Sequence, residues 1–211
     1  MAKKTKKHTK RVAQLTEIVV VLDRSGSMGT IKDDAIGGFN HFLDEQKKLP
    51  GKASMTLVQF DDQYEVVHEK VALKQVPKLT NATYQPRNTT ALLDAVGKTI
   101  VKADSMKAKQ VAFVILTDGH ENASKEYNRS QIFDMITERT KQGWQFIFLG
   151  ANQDAIDAGG AIGIPKGGAL TFAHTGKGVN VAYGLSANKV ASYRVTGQSS
   201  GFTDAERLLA Q

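Results

Sequence analysis

The sequence predicts an α/β fold: an open, mostly parallel sheet with helices on both faces. Ile18 to Leu22 and Val111 to Leu116 are unbroken apolar runs, the pattern of strands buried on both faces of a parallel sheet. Segments with apolar residues at helical spacing alternate with such runs, as a series of βαβ units requires. No internal repeat is visible, and 211 residues with 41 % apolar content suit one domain with terminal extensions.

In chain order, residues 1–14 read as a flexible basic arm that offers almost nothing to bury. The first strand follows from Glu17. After a glycine-rich turn, Ile31, Ala35, Phe39 and Phe42 recur at helical spacing until Pro50-Gly51 stops the helix. Met55 to Phe60 and Tyr64 to Val71, joined by Asp61-Asp62-Gln63, predict an antiparallel hairpin. Pro77 to Asn88 is polar and reads as loop. Leu93, Val96 and Ile100 mark a second helix ahead of the run at 111–116, and Ile132, Ile136 and Arg139 share one face of a third. Trp144 to Leu149 predicts a strand, Gln153 to Ile162 a helix of small residues, Ala169 to Ala173 a short strand and Gly178 to Tyr193 a last helix. The division is therefore an arm at 1–14, a folded domain at 15–195 and a tail at 196–211, where Phe202, Leu208 and Leu209 lie on a short amphipathic stretch.

Composition removes several classes of chemistry. There is no cysteine, hence no disulfide, thiolate nucleophile or Cys-ligated metal, and a metal must be held by oxygen or by the five histidines. The formal charge of +7 suggests nucleic acid until it is mapped: Lys3, Lys4, Lys6, Lys7, Lys10 and Arg11 supply six of it with no acid among residues 1–11. The rest of the chain carries 22 basic and 21 acidic side chains. No apolar leader core and no stretch of about 18 to 20 apolar residues is present, so a soluble, cytoplasmic protein without a membrane partner is expected. The sequons at Asn81, Asn88, Asn122 and Asn128 then read as chance matches.

In open α/β sheets, ligands bind beyond the carboxyl ends of strands where the strand order reverses, which directs attention to the residues after Leu22, Leu116 and Leu149. Asp23-Arg24-Ser25-Gly26-Ser27-Met28-Gly29 places a carboxylate and two hydroxyls at alternate positions, with glycines that permit a tight bend. Leu116-Thr117-Asp118-Gly119 brings a second carboxylate to the same edge. Between them, Asn88-Thr89-Thr90-Ala91 opens a helix with a threonine pair whose hydroxyl completes an oxygen cluster. Mg²⁺ takes about six oxygens in an octahedron and usually keeps some waters. Two carboxylates and three hydroxyls suit it, and they leave the ion able to accept one more negative oxygen.

Asp-x-Ser-x-Ser, a later Thr opening a helix with Ala-Leu, and Thr-Asp-Gly at a strand end together resemble the metal-ion-dependent adhesion site of von Willebrand factor A domains. The resemblance covers residues 15–195 and implies a doubly wound, Rossmann-like, mostly parallel sheet with one antiparallel edge strand. It implies Asp23, Ser25, Ser27, Thr90 and Asp118 as ligands, directly or through water, of Mg²⁺, with Mn²⁺ or Ca²⁺ as alternatives. A glutamate or aspartate of a protein partner would supply the last oxygen. Thr90 is chosen by its distance from Ala91-Leu92, with Thr89 as the alternative, because relatives usually read Gly-Gly-Thr where this chain has Asn88-Thr89-Thr90. Single-domain intracellular relatives of bacterial and phage type commonly act as adaptors beside AAA-type ATPases or in stress and defence modules, which implies a non-enzymatic role.

Several of these residues admit other roles. Asp23, Ser25 and Ser27 alone would suit an Asx-type turn capping the next helix. His120-Glu121 lacks the second histidine of a zinc hydrolase and reads as solvated loop, while His41, His68 and His174 are scattered and suit surface or internally satisfied positions. Gly159, Gly160 and Gly163 lie within or after a helix, which speaks for close packing over a dinucleotide turn, and Gly176-Lys177-Gly178 is an incomplete P-loop. A Mg²⁺-dependent phosphatase-like hydrolase would carry a second Asp two residues after the first, where Ser25 stands. Nucleic-acid binding would rest on residues 1–11 alone, through salt-dependent phosphate contacts.

Overall fold

The structure, a computed structural model, describes residues 15–151 and 154–211. The expected basic arm at 1–14 and Gln153, at the predicted start of the small-residue helix, lie outside the described residues. Six strands form one sheet: β1 (Thr16–Asp23), β2 (Ala53–Phe60), β3 (Tyr64–Ala72), β4 (Gln110–Thr117), β5 (Gln145–Ala151) and β6 (Ala169–Phe172). Their order is β3-β2-β1-β4-β5-β6, and only β3 runs antiparallel to its neighbour. The chain winds outward from β1 in one direction to β3, then restarts beside β1 at β4. The order therefore reverses between β1 and β4, where a doubly wound sheet forms its crevice.

Alternation along β1 explains the apolar run. Ile18, Val20 and Leu22 enter one core with Phe39 and Phe42 of α1 (Lys32–Lys48) and Val179, Tyr183 and Val190 of α5 (Gly176–Thr196). Val19 and Val21 enter the opposite core with Leu93, Val96 and Ile100 of α2 (Leu92–Ser105) and Ile132 and Ile136 of α3 (Arg129–Lys141). Side chains on both faces of the strand are thus apolar for the same reason. A methyl on Gly38 of α1 would run into the ring of Tyr183 on α5, so glycine lets the two helices approach.

Helix ends follow capping chemistry more closely than periodicity. The small-residue helix is α4 (Ala155–Ala161), opened by Asp154, whose carboxylate accepts from the Ile156 and Asp157 amides. The last long helix runs further at both ends than Gly178 to Tyr193, because Thr175 caps its start and Gly197, at φ 70°, closes it in the left-handed conformation. The polar segment after β3 is loop, yet it buries Leu79 and Tyr84. The tail folds back onto the sheet edge: the Ala173 amide donates to Ala210 O (2.9 Å), Phe202 N to Gly167 O (2.8 Å), and α6 (Asp204–Leu209) carries a Thr203/Glu206 capping box. Phe202 is buried, whereas Leu208 and Leu209 face solvent at 77 % and 63 % exposure. Among the described residues no helix is long and apolar enough to cross a membrane.

Candidate metal centre at the carboxyl edge

The two carboxylates of the sequence motif meet at the crevice. Leu22 of β1 pairs with Leu116 of β4, so the strands end together and Asp23 lies beside Thr117. Asp23 is fully buried; its Oδ2 accepts from Thr117 Oγ1 (2.6 Å) and its Oδ1 from the Ser25 amide (2.6 Å). Ser25 Oγ stands 3.2 Å from Ser27 Oγ, which donates to Asp118 Oδ1 at 2.6 Å. Thr90 closes the group: a Cβ added to Gly119 would fall 2.9 Å from Thr90 Oγ1 and 3.7 Å from Ser27 Oγ, so both hydroxyls face the space that glycine leaves open. All five predicted residues converge. Thr90 is buried and faces Ser27 across Gly119, while Thr89 is exposed.

The loop that carries Thr90 is fixed by residues well outside the motif. The Thr90 amide donates to Asn122 Oδ1 (2.9 Å) and the Asn122 amide to Thr90 O (3.0 Å), tying this loop to the one after β4. Asp94 accepts from the amides of Lys125, Glu126 and Tyr127, and Glu121 from those of Leu93, Ala123 and Ser124. Glu121 is therefore a half-buried brace for the start of α2 and not part of a solvated loop, because unsatisfied amides at a helix start attract a carboxylate. Asn88 adopts φ 57°, a left-handed conformation that glycine takes freely and asparagine tolerates. Its carbonyl accepts from the Gly26 amide (3.0 Å), joining the first two loops.

Among the described residues no Lys or Arg pairs with either acid. Burial, and secondarily the charge of Asp118, push the Asp23 carboxyl up to about 6, against the opposing bonds from Thr117 and Ser25. The adjacent arginine does not relieve them: Arg24 Nη1 donates to Glu65 (2.6 Å), and its Nε lies 3.3 Å from the buried Asp61, which also accepts from Arg87 Nε (2.5 Å). Among the described residues, no three His, Asp or Glu side chains gather as a metal cage. A cation here must draw on hydroxyls as well as the two carboxylates, a hard, all-oxygen set of the kind Mg²⁺ prefers. Each carboxylate oxygen offers two lone-pair sites, so the hydrogen bonds described above leave acceptor capacity on both acids.

The sequence of the chain matches the model of the von Willebrand factor type A domain over residues 17–177. The chain belongs to that family. No curated protein sequence matches it. Among solved structures, this VWA domain is similar to the vWF domain of the type V pili tip protein Mfa5 from Porphyromonas gingivalis, at 11 % identity and TM-score 0.65, covering 92 % of this chain and 99 % of that one. It is also similar to proximal thread matrix protein 1 from the mussel byssus, at 12 % identity and TM-score 0.61, over 85 % of this chain and 47 % of that one. A form of that mussel protein with a zinc-occupied MIDAS motif matches at 15 % identity and TM-score 0.63, covering 46 % of it. The VWA domain thus spans about half the length of the mussel protein, and these identities establish a shared fold.

Two side chains at the site carry no signal in the sequence. Tyr84, from the polar loop, is fully buried and donates its hydroxyl to Asp23 O at 2.5 Å. His174, expected at a surface or internally satisfied position, places Nε2 at 3.0 Å from Asp118 Oδ2, with 18 % of its side chain exposed. It reaches the site because β6 ends at Phe172 and the chain turns into α5 on the same edge. Ala173-His174-Thr175 has no periodicity or motif, so only the sheet topology reveals this contact. The residues after Leu149, the third predicted location, continue as β5 to Ala151. Beyond it, residues 152 and 153 are not described.

Proposed function

We propose that this VWA domain is a divalent-cation-dependent protein-interaction module in which Asp23, Ser25, Ser27, Thr90 and Asp118 hold Mg²⁺, directly or through water. Mn²⁺ and Ca²⁺ are the alternatives. One observation carries the reading: two carboxylates and three hydroxyls from three segments gather at one edge of the sheet with no Lys or Arg paired to either carboxylate among the described residues. When bound, the cation supplies a Lewis-acidic position for a carboxylate oxygen of a partner. Asp23 and Asp118 provide the balancing negative charge, and the three hydroxyls can offer lone pairs while still donating to the carboxylates. The Asn122, Asp94 and Glu121 bonds keep the loops in register.

An adaptor role in a larger assembly, in the cytoplasm and without catalysis, belongs to the same reading, with an AAA-type ATPase or a stress or defence component as partner. Ser25 at the position where a phosphatase-like enzyme needs its second acid supports the non-enzymatic part. Calorimetric titration with Mg²⁺ tests the core claim: saturable binding to the parent chain and none to Asp118→Ala is expected. A protein partner captured in Mg²⁺ should be released by chelator and fail to bind Asp118→Ala. Unchanged Mg²⁺ affinity in that variant would overturn the ligand assignment, and capture indifferent to chelator would overturn the interaction mechanism.

A further inference from the structure

We propose that the opposite pole of the sheet carries a second binding site, for a small molecule with an anionic oxygen headgroup on an apolar tail. A cavity of about 540 Å³ opens there, between the end of α1, the start of β2, the end of β3 and Arg194 of α5. Its volume lies within the range of small-ligand pockets.

The headgroup chemistry follows from Arg194, which is only 8 % exposed and has no carboxylate partner among the described residues. Its Nη1 donates to Gln46 O (2.7 Å) and Gln46 Oε1 (3.2 Å), both neutral acceptors. Buried charges are ordinarily paired, and a guanidinium with nitrogens to spare matches a carboxylate or phosphate in bidentate fashion. Lys47, Lys52, Lys70 and Lys74 also line the cavity, and the lining contains no Asp or Glu. Among the described residues none of these lysines forms an ion pair, whereas Lys48, Lys78, Lys98 and Lys102 elsewhere each do. Cations with no carboxylate in salt-bridge contact are therefore gathered at one cavity, Lys47 with its Nζ donating to Val76 O (2.6 Å).

Lys70 is brought there by a local departure from strand geometry. The β2–β3 register shifts between Met55 and Leu57, and Lys70 adopts φ 49° with its amide donating to Thr56 Oγ1 (3.0 Å). Such a bulge re-aims a side chain, and a lysine in the left-handed region is uncommon. Leu15, Leu49 and Leu73 supply apolar wall for the tail. The acid just behind the lining, Glu17, is already engaged by Ser54 and Thr56.

Octanoate is the probe, titrated by calorimetry into the full chain in chelator, so that no metal at the other edge can take its carboxylate. Saturable binding is expected, with octanol and inorganic phosphate each roughly tenfold weaker or more, because each lacks half of the recognition. Arg194→Gln should weaken octanoate by roughly tenfold. Because Arg194 is buried, the exposed pair Lys70→Gln and Lys74→Gln gives an independent test, expected to weaken octanoate several-fold with an unchanged Tm. Asp118→Ala should bind octanoate like the parent, which keeps this outcome separate from the metal reading. Absence of octanoate binding, equal binding of octanol, or binding seen only after removal of residues 1–14 would overturn the proposal.

Discussion

Glu17 and Asp23 stand near the two ends of the same strand, both fully buried, both pushed above the usual carboxylate range by burial, and both held by hydroxyls from a neighbouring strand. Their neighbourhoods differ in one respect. The next charge felt by Glu17 is Lys70, which favours its ionised form, whereas Asp23 feels the like charge of Asp118. A lone buried acid among hydroxyls can rest as a neutral residue of the core. Two neighbouring acids with hydroxyls between them and no Lys or Arg paired to either among the described residues form a local excess of negative charge. Burial of a carboxylate is therefore not the mark of a site; the second acid is.

The widest separation between the two ends should come from substitution. Asp23→Ala is expected to abolish the rise in Tm that Mg²⁺ gives the parent, while Glu17→Gln leaves that rise intact, as differential scanning calorimetry with and without Mg²⁺ would record. An equal loss of the Mg²⁺ response in both variants would erase the distinction.

Next in size is the pH response. Both acids have folded pKa values above their unfolded ones, so each costs the folded chain stability as pH rises above the unfolded value, with Asp23 reaching its full penalty above about 6. For Asp23 this amounts to about 3 kcal/mol without metal. Added Mg²⁺ should recover the Asp23 share and leave the Glu17 share, and Mg²⁺ affinity should fall as pH drops below about 6, where protons compete. A metal affinity flat between pH 5 and 8 in titration calorimetry, a window set by the Asp23 value, would contradict this.

Smaller effects sharpen the picture. His174→Ala should weaken Mg²⁺ roughly tenfold by freeing the Asp118 carboxylate to rotate, as loss of an outer partner typically does; unchanged affinity would leave His174 a bystander. Smallest is Tyr84→Phe, expected to lower unfolding free energy by about 1 kcal/mol through the lost bond to Asp23 O, with little change in metal affinity. Denaturant unfolding checks it.

The sheet and the cluster of acids and hydroxyls at its edge are legible because their signals are contiguous. The apolar runs at 18–22 and 111–116 end directly in Asp23 and in Thr117-Asp118, so the strand reading and the chemical reading share residues. The supporting side chains were hidden for the opposite reason. Tyr84 meets a backbone carbonyl 61 positions away and His174 a carboxylate 56 away, from segments whose composition says only loop. Asp94 and Glu121 look like ordinary charges of a helix and a turn until the amides of the partner loop are placed against them. Helix limits were misplaced by a few residues where a cap decided the end, as at Thr175 and Gly197.

Pairing of β1 along its length with β2 on one side and β4 on the other has a consequence for solvent isotope labelling. Amides of Ile18 to Leu22 are locked into the centre of the sheet and should exchange with deuterium only when the whole domain opens. Those around Ser27 and Asp118 lie in turns and should exchange by local opening. Mg²⁺ would then slow labelling of the turns at low denaturant while the central strand stays unchanged. Asp23, the last residue of β1, holds its carboxylate on the slowest-exchanging part of the molecule, whereas Ser25 and Ser27 follow it in the turn.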